Sequence, residues 1–174
     1  MLIAMVSMAF FAPFIVLLTL QMKRANPRLA PLAYTQLVCA IALLLMILLP
    51  LTLIGIAAFR PDRPPALTQL LNDAAFLSLF WVFSTPTLEY VSLALMAFLD
   101  RSDNPLFPHW VGWFDLAVAA IFATGAPVIF VKHGPFAWDG ALAFWAVLVA
   151  FGLWVWVTFW YMWRAINRPT MTSS

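Results

Sequence analysis

Two carboxyl groups and one amide stand inside apolar runs long enough to cross a bilayer. Glu89 lies in "FSTPTLEY" (83–90), about ten residues from the end of its run, a depth of roughly 15 Å at 1.5 Å per residue. Asp115 lies about five residues into a later run, roughly 7 Å deep, beside Gly112, Ala119, Ala123 and Ala126. Gln36 lies about as deep as Asp115 in an earlier run, next to Tyr34 and Thr35. An ionised carboxylate facing lipid is costly, by at least about 2.5 kcal/mol. Glu89 is therefore expected to face a helix bundle's interior, protonated or hydrogen-bonded. Trp81, Thr85, Glu89, Ser92 and Met96 fall at helical offsets 0, 4, 8, 11 and 15, which makes a polar seam of Thr85, Glu89 and Ser92. With the runs antiparallel, Gln36, Glu89 and Asp115 come to the same half of the bundle. An axial gap of roughly 8 Å between the two carboxyls is left for tilt, side-chain length or a water to close. Such a cluster is either a proton-linked binding site or interhelical hydrogen bonding, worth roughly 0.6–2 kcal/mol per bond.

A second constellation is aromatic. Trp145, Trp156, Trp160 and Trp163 fall at offsets 0, 11, 15 and 18, with Gly152 between them, and form one stripe on a helix. Trp145, Trp156 and Trp160 are candidates for holding a flat apolar molecule such as a carotenoid, sterol or quinone. The plainer reading is lipid contact or helix packing. Arg60, Asp62, Arg63, Asp73, His133 and Asp139 make a third set, a salt-bridged lid, in which Asp73 also suits a helix start.

Other chemistries lack their residues. The two histidines, His109 and His133, belong to opposite membrane faces, so a transmembrane bis-histidine haem is excluded. There is no HExxH, G-x-S-x-G, P-loop or cysteine cluster. Cys39 is the single cysteine, which forbids an intrachain disulfide. A metal site built from Glu89 and Asp115 is short of ligands. No metal or cofactor is expected, and neither is nucleic acid as a partner, because the basic residues flank apolar runs as topology signals.

The positioning elements follow from composition. Hydrophobic residues make up 65% of the 174 and charged residues 9%; mean hydropathy is +0.97. Soluble domains carry about 25% charged residues. The apolar runs are continuous, which implies an all-α polytopic transmembrane bundle without a soluble domain. Five spans are expected, at about 1–22, 31–59, 67–99, 110–131 and 136–163, in one domain covering 1–174. The second and third exceed the roughly 20 residues a bilayer requires, so tilt or kinks are expected, with Pro50 and Pro86 as kink sites. In "STPT", Ser84, Thr85 and Thr87 can bond the carbonyls that Pro86 leaves free. Lys23, Arg24, Arg28, Arg101, Arg164 and Arg168 fall on one side, against Arg60, Arg63 and Lys132 on the other. Six against three puts the C-terminus in the cytoplasm. The abrupt apolar start at Met1 is compatible with a further upstream helix.

The stretches "AFRPDRPPALTQLLND", "FPHWVGWFDLAVA" and "GPFAWDGALAFW" resemble a family of small, uncharacterised bacterial multi-pass inner-membrane proteins. The resemblance covers most of the chain. It implies a helical bundle in a bacterial inner membrane, and no activity or site residues. The functional expectation is a binding or assembly subunit that packs against membrane lipids, partner membrane proteins, a second copy, or an apolar molecule. A small proton-linked carrier using Glu89 and Asp115 is the alternative, and a lipid-modifying enzyme using them as acid and base is the least favoured.

Overall fold

The computed structural model describes residues 2–167 apart from 61 and 103. Met1 and Arg168, the latter used above for the charge asymmetry, lie outside the described residues. Among the described residues the regular structure is entirely helical. The chain runs α1 (Leu2–Ala9), α2 (Phe11–Ala25), a 3-10 turn Pro27–Leu29, then α3 (Ala30–Phe59). It continues with α4 (Pro65–Trp81), α5 (Ser84–Leu99), α6 (His109–Ala123) and a 3-10 turn Ala126–Ile129. A π-helical turn, Ala141–Ala146, opens α7 (Val147–Ile166). Five helical stretches are long and apolar enough to cross a membrane: Met5–Ala25, Pro27–Phe59, Pro65–Leu99, His109–Ile129 and Ala141–Ile166.

Proline chemistry sets three of the helix ends. A proline has no N–H for the carbonyl four residues earlier, and its ring collides with that carbonyl. Pro13 addresses Ala9, the last residue of α1; Pro127 addresses Ala123, the last residue of α6; Pro86 addresses Val82, just past the end of α4. The expected span at 67–99 is present as Pro65–Leu99, and its kink is a two-residue interruption at Val82 and Phe83 that divides it into α4 and α5. Pro86 falls in the first turn of α5, where no intrahelical N–H is needed. The freed Val82 carbonyl accepts the Thr85 backbone N–H at 3.2 Å and the Thr85 hydroxyl at 3.0 Å. The Thr87 hydroxyl donates to the Phe83 carbonyl at 2.7 Å. The threonines thus bond the carbonyls as expected, while Ser84 is exposed. Pro50 behaves differently and sits buried within an unbroken α3.

The last span also starts later than expected, at Ala141 instead of Phe136. Gly134 takes a left-handed φ of 93°, which turns the chain back. The Pro135 carbonyl then accepts the Leu142 N–H at 2.9 Å and caps the new helix. Gly140 passes so close to this turn that a Cβ there would lie 2.4 Å from the Pro135 carbonyl oxygen. Only glycine fits.

α5 lies at the centre, packed on α3 on one side and on α6 on the other. Its Tyr90, Leu93 and Met96 join Leu18 and Met22 of α2, Val118 and Phe122 of α6, and Trp154 of α7 in the main core. α4 leans on α3 and on the 3-10 turn after α6. The α5–α6 approach is close because position 112 is glycine. A Cβ there would stand 2.8 Å from the Phe98 ring and 3.2 Å from the Ala94 carbonyl oxygen.

Candidate functional site

The three polar residues come together from three helices. Gln36 on α3, Glu89 on α5 and Asp115 on α6 are each no more than 1% exposed. Gln36 is the polar neighbour of Glu89, and Asp115 lies near enough to act on Glu89 electrostatically. Trp154, from α7, is the polar neighbour of Asp115, short of hydrogen-bonding geometry. Tyr90 lies within electrostatic reach of both carboxyls.

Local sequence explains each placement. Gln36 follows the Asn26–Pro27 turn, in which the Asn26 side chain accepts the Arg28 N–H at 3.1 Å and aims α3 back along α2. Gln36 Oε1 then meets the Thr19 hydroxyl of α2 at 3.0 Å. That hydroxyl also lies 2.9 Å from the Ile15 carbonyl and, having one proton, donates to one of the two at a time. Glu89 follows the Pro86 break, which resets the helical phase: Trp81, before the break, is exposed, whereas Glu89, Ser92 and Met96 are buried. The seam expected from residue 81 onward therefore turns inward only beyond the break. Asp115 is carried inward by the Gly112 contact one turn earlier.

The cluster is short of partners. Gln36 Nε2, Glu89 Oε2, Tyr90 Oη, Asp115 Oδ1 and Trp154 Nε1 are buried with no group in hydrogen-bonding geometry. A buried polar atom left unpaired costs roughly 1–3 kcal/mol, so these five atoms mark the site in energetic terms. Beside Glu89 and Trp154 is a void of about 10 Å³, close to the least space that holds one water, roughly 10–15 Å³.

Thr85 and Ser92 do not join this group. The Thr85 hydroxyl donates to Val82 as described, and the buried Ser92 hydroxyl donates to the Leu88 carbonyl at 2.8 Å. Sequence periodicity placed both on the right face, but their short side chains are used by their own helix. Tyr90, Trp154 and Thr19 went unnoticed in the sequence. Trp154 is only two residues from Trp156, yet it belongs to the opposite, inward stripe of Ala150, Trp154, Thr158 and Met162, whose spacing of four could have shown it.

The tryptophan stripe faces outward. Trp145, Trp156, Trp160 and Trp163 are all exposed, and among them only Trp156 lines a groove, of about 300 Å³, formed with Phe10, Phe14 and Phe159. A second apolar pocket, partly open, lies between the helices and borders the polar cluster through Leu43, Ile47 and Phe151. It measures about 260 Å³ and is walled by residues such as Leu43 and Met46 of α3, Phe80 of α4, Phe122 of α6 and Phe151 of α7. Of the lid set, Asp73 lines an outer groove with Lys132 and Trp138; Arg60, Asp62, Arg63, His133 and Asp139 are not on its wall. Among the described residues no three His, Cys, Asp or Glu side chains gather as a metal ion would require. Comparison of the chain with protein-family models, curated proteins and solved structures returns no match.

Proposed function

We propose that this protein is a small multi-pass membrane subunit that holds an apolar molecule within its helix bundle. The observation that carries this reading is the partly open pocket of about 260 Å³ between the helices, whose lining is apolar. Ligand sites are concave and mostly apolar, roughly 300–1,000 Å³ in size, so this one suits a ring system or a short chain segment. Lipid, quinone, carotenoid or sterol are the classes that match. The exposed aromatic and aliphatic side chains of α7 supply the lipid-facing surface, and the same surface suits a partner membrane protein or a second copy. In detergent, a polyene or quinone should quench the protein's tryptophan fluorescence with saturation near one per chain. Leu43→Trp, which fills the cavity, should weaken that quenching at least tenfold. Quenching that merely follows partitioning into the micelle would reject the reading.

The five apolar stretches and the six-to-three charge asymmetry support a bacterial inner membrane with the C-terminus in the cytoplasm. Ala66 and Ser102 are exposed at opposite ends of α4–α5. Single cysteines there, in a Cys39→Ala background, should label from outside for Ala66→Cys and only after permeabilisation for Ser102→Cys. Labelling of both from one side breaks this threading.

A second reading has its own observation. Two buried carboxyls on neighbouring helices α5 and α6, with unpaired polar atoms around them, suit a proton-linked carrier in which Glu89 and Asp115 exchange protons with a transported molecule.

A further inference from the structure

The apolar cavity and the polar cluster are separated by very little. Leu43, Ile47 and Phe151 line both the cavity and the small void beside Glu89. These three side chains are common to both linings. Beside them stand Glu89 Oε2 and Trp154 Nε1, both buried and without a partner in hydrogen-bonding geometry, the indole N–H having the Asp115 carboxyl as its polar neighbour. Glu89 and Trp154 border the same void.

We propose that the molecule held in the cavity is a neutral apolar alcohol whose hydroxyl seats between Glu89 and Trp154. This rests on the proposed binding of an apolar molecule and adds its polar end. A hydroxyl donates one hydrogen bond and accepts others, so it can satisfy the carboxyl oxygen and the indole N–H together. The void of about 10 Å³ takes a single oxygen-sized group, as the roughly 10–15 Å³ needed for one water shows. A phosphate head is too large for it. A carboxylate head would be set against Glu89 and Asp115, two groups that carry the same charge when ionised. The apolar body of the alcohol then extends past Leu43, Ile47 and Phe151 into the larger cavity. An isoprenoid alcohol, a sterol and a quinol all present this chemistry.

The test uses the full chain in detergent micelles and three probes of one carbon skeleton: farnesol, the hydrocarbon farnesene and farnesoic acid. Radiolabelled farnesol should bind saturably and at least tenfold more tightly than farnesene, with farnesoic acid weaker than farnesol. Trp154→Phe keeps the ring in place and removes the N–H; Glu89→Leu removes the acceptor. Each should bring farnesol down to the affinity of farnesene and leave farnesene unchanged. Equal binding of farnesol and farnesene to the unmodified protein overturns the hydroxyl site and leaves the apolar cavity standing. Preferential binding of farnesoic acid overturns it too. Saturable binding of none of the three overturns the cavity reading and this inference together.

Discussion

Trp154→Ala should be the most damaging single substitution in the chain, lowering stability in detergent by roughly 3–5 kcal/mol. The indole is 2% exposed. Its ring lies 5.2 Å from Tyr90, 6.2 Å from Phe14 and 6.1 Å from Phe151, so it joins α7 to α2 and α5. Truncation opens a cavity at a point where three helices meet, and it strips Asp115 of its indole neighbour. Trp156→Leu is the control: Trp156 is 74% exposed, and a surface change of this kind shifts stability by about 0.5 kcal/mol or less. Denaturant titration followed by circular dichroism separates the two. Equal losses at both positions would mean that α7 is rotated from the face described here.

The second large effect concerns Glu89. Glu89→Gln keeps the shape and the hydrogen-bonding capacity of a neutral carboxyl and should be close to neutral for stability. Glu89→Leu leaves Gln36 without its neighbour and should destabilise by roughly 1–3 kcal/mol. If Glu89 and Asp115 act only as packing groups, the double substitution Glu89→Leu/Asp115→Leu should cost less than the sum of the singles, because each removal leaves the other group stranded. Couplings between residues in one such network run to roughly 0.5–3 kcal/mol. A proton-linked role gives a different pattern: Glu89→Gln would abolish proton-coupled uptake into proteoliposomes while the unfolding curve stays in place. Additive losses from the two leucine substitutions would show that the carboxyls do not share a cluster.

The polar cluster was legible in the sequence because polar groups in long apolar runs have few places to go. Gln36, Glu89 and Asp115 each had to point inward, and antiparallel threading brought them to a similar level. The rest was hidden for identifiable reasons. The kink at Pro86 follows from the sequence; that it interrupts the helix at Val82 and Phe83 follows from the same carbonyl clash that ends α1 and α6. Pro50 shows that the rule is not sufficient by itself, since α3 runs through it. Trp154 was masked by its neighbours: a helix with tryptophans at 145, 154, 156, 160 and 163 carries two stripes, and only the outward one was traced. Asp100 was also passed over. It is 4% exposed, and its carboxylate accepts the Ser102 N–H at 3.2 Å and the Leu106 N–H at 3.4 Å, folding the α5–α6 connection over the bundle end. In the sequence it looks like one more loop charge.

The break between α4 and α5 has a consequence for biogenesis. α4 has 17 residues and α5 has 16, and each falls short of the roughly 20 that a membrane-crossing helix needs. Only the joined stretch Pro65–Leu99 is long enough, and it is the least apolar of the five. It is also the stretch most enclosed by its neighbours. The segment that lipid would accept least readily is thus the one the other helices surround most fully. Its retention during synthesis should depend on α3 having preceded it and on α6 arriving soon after. A glycosylation reporter fused after Leu99 should show mixed orientation, and the same reporter fused after Ile166 a single one. The central helix pair is then a late-committing part of the protein, held in place by company and not by its own greasiness.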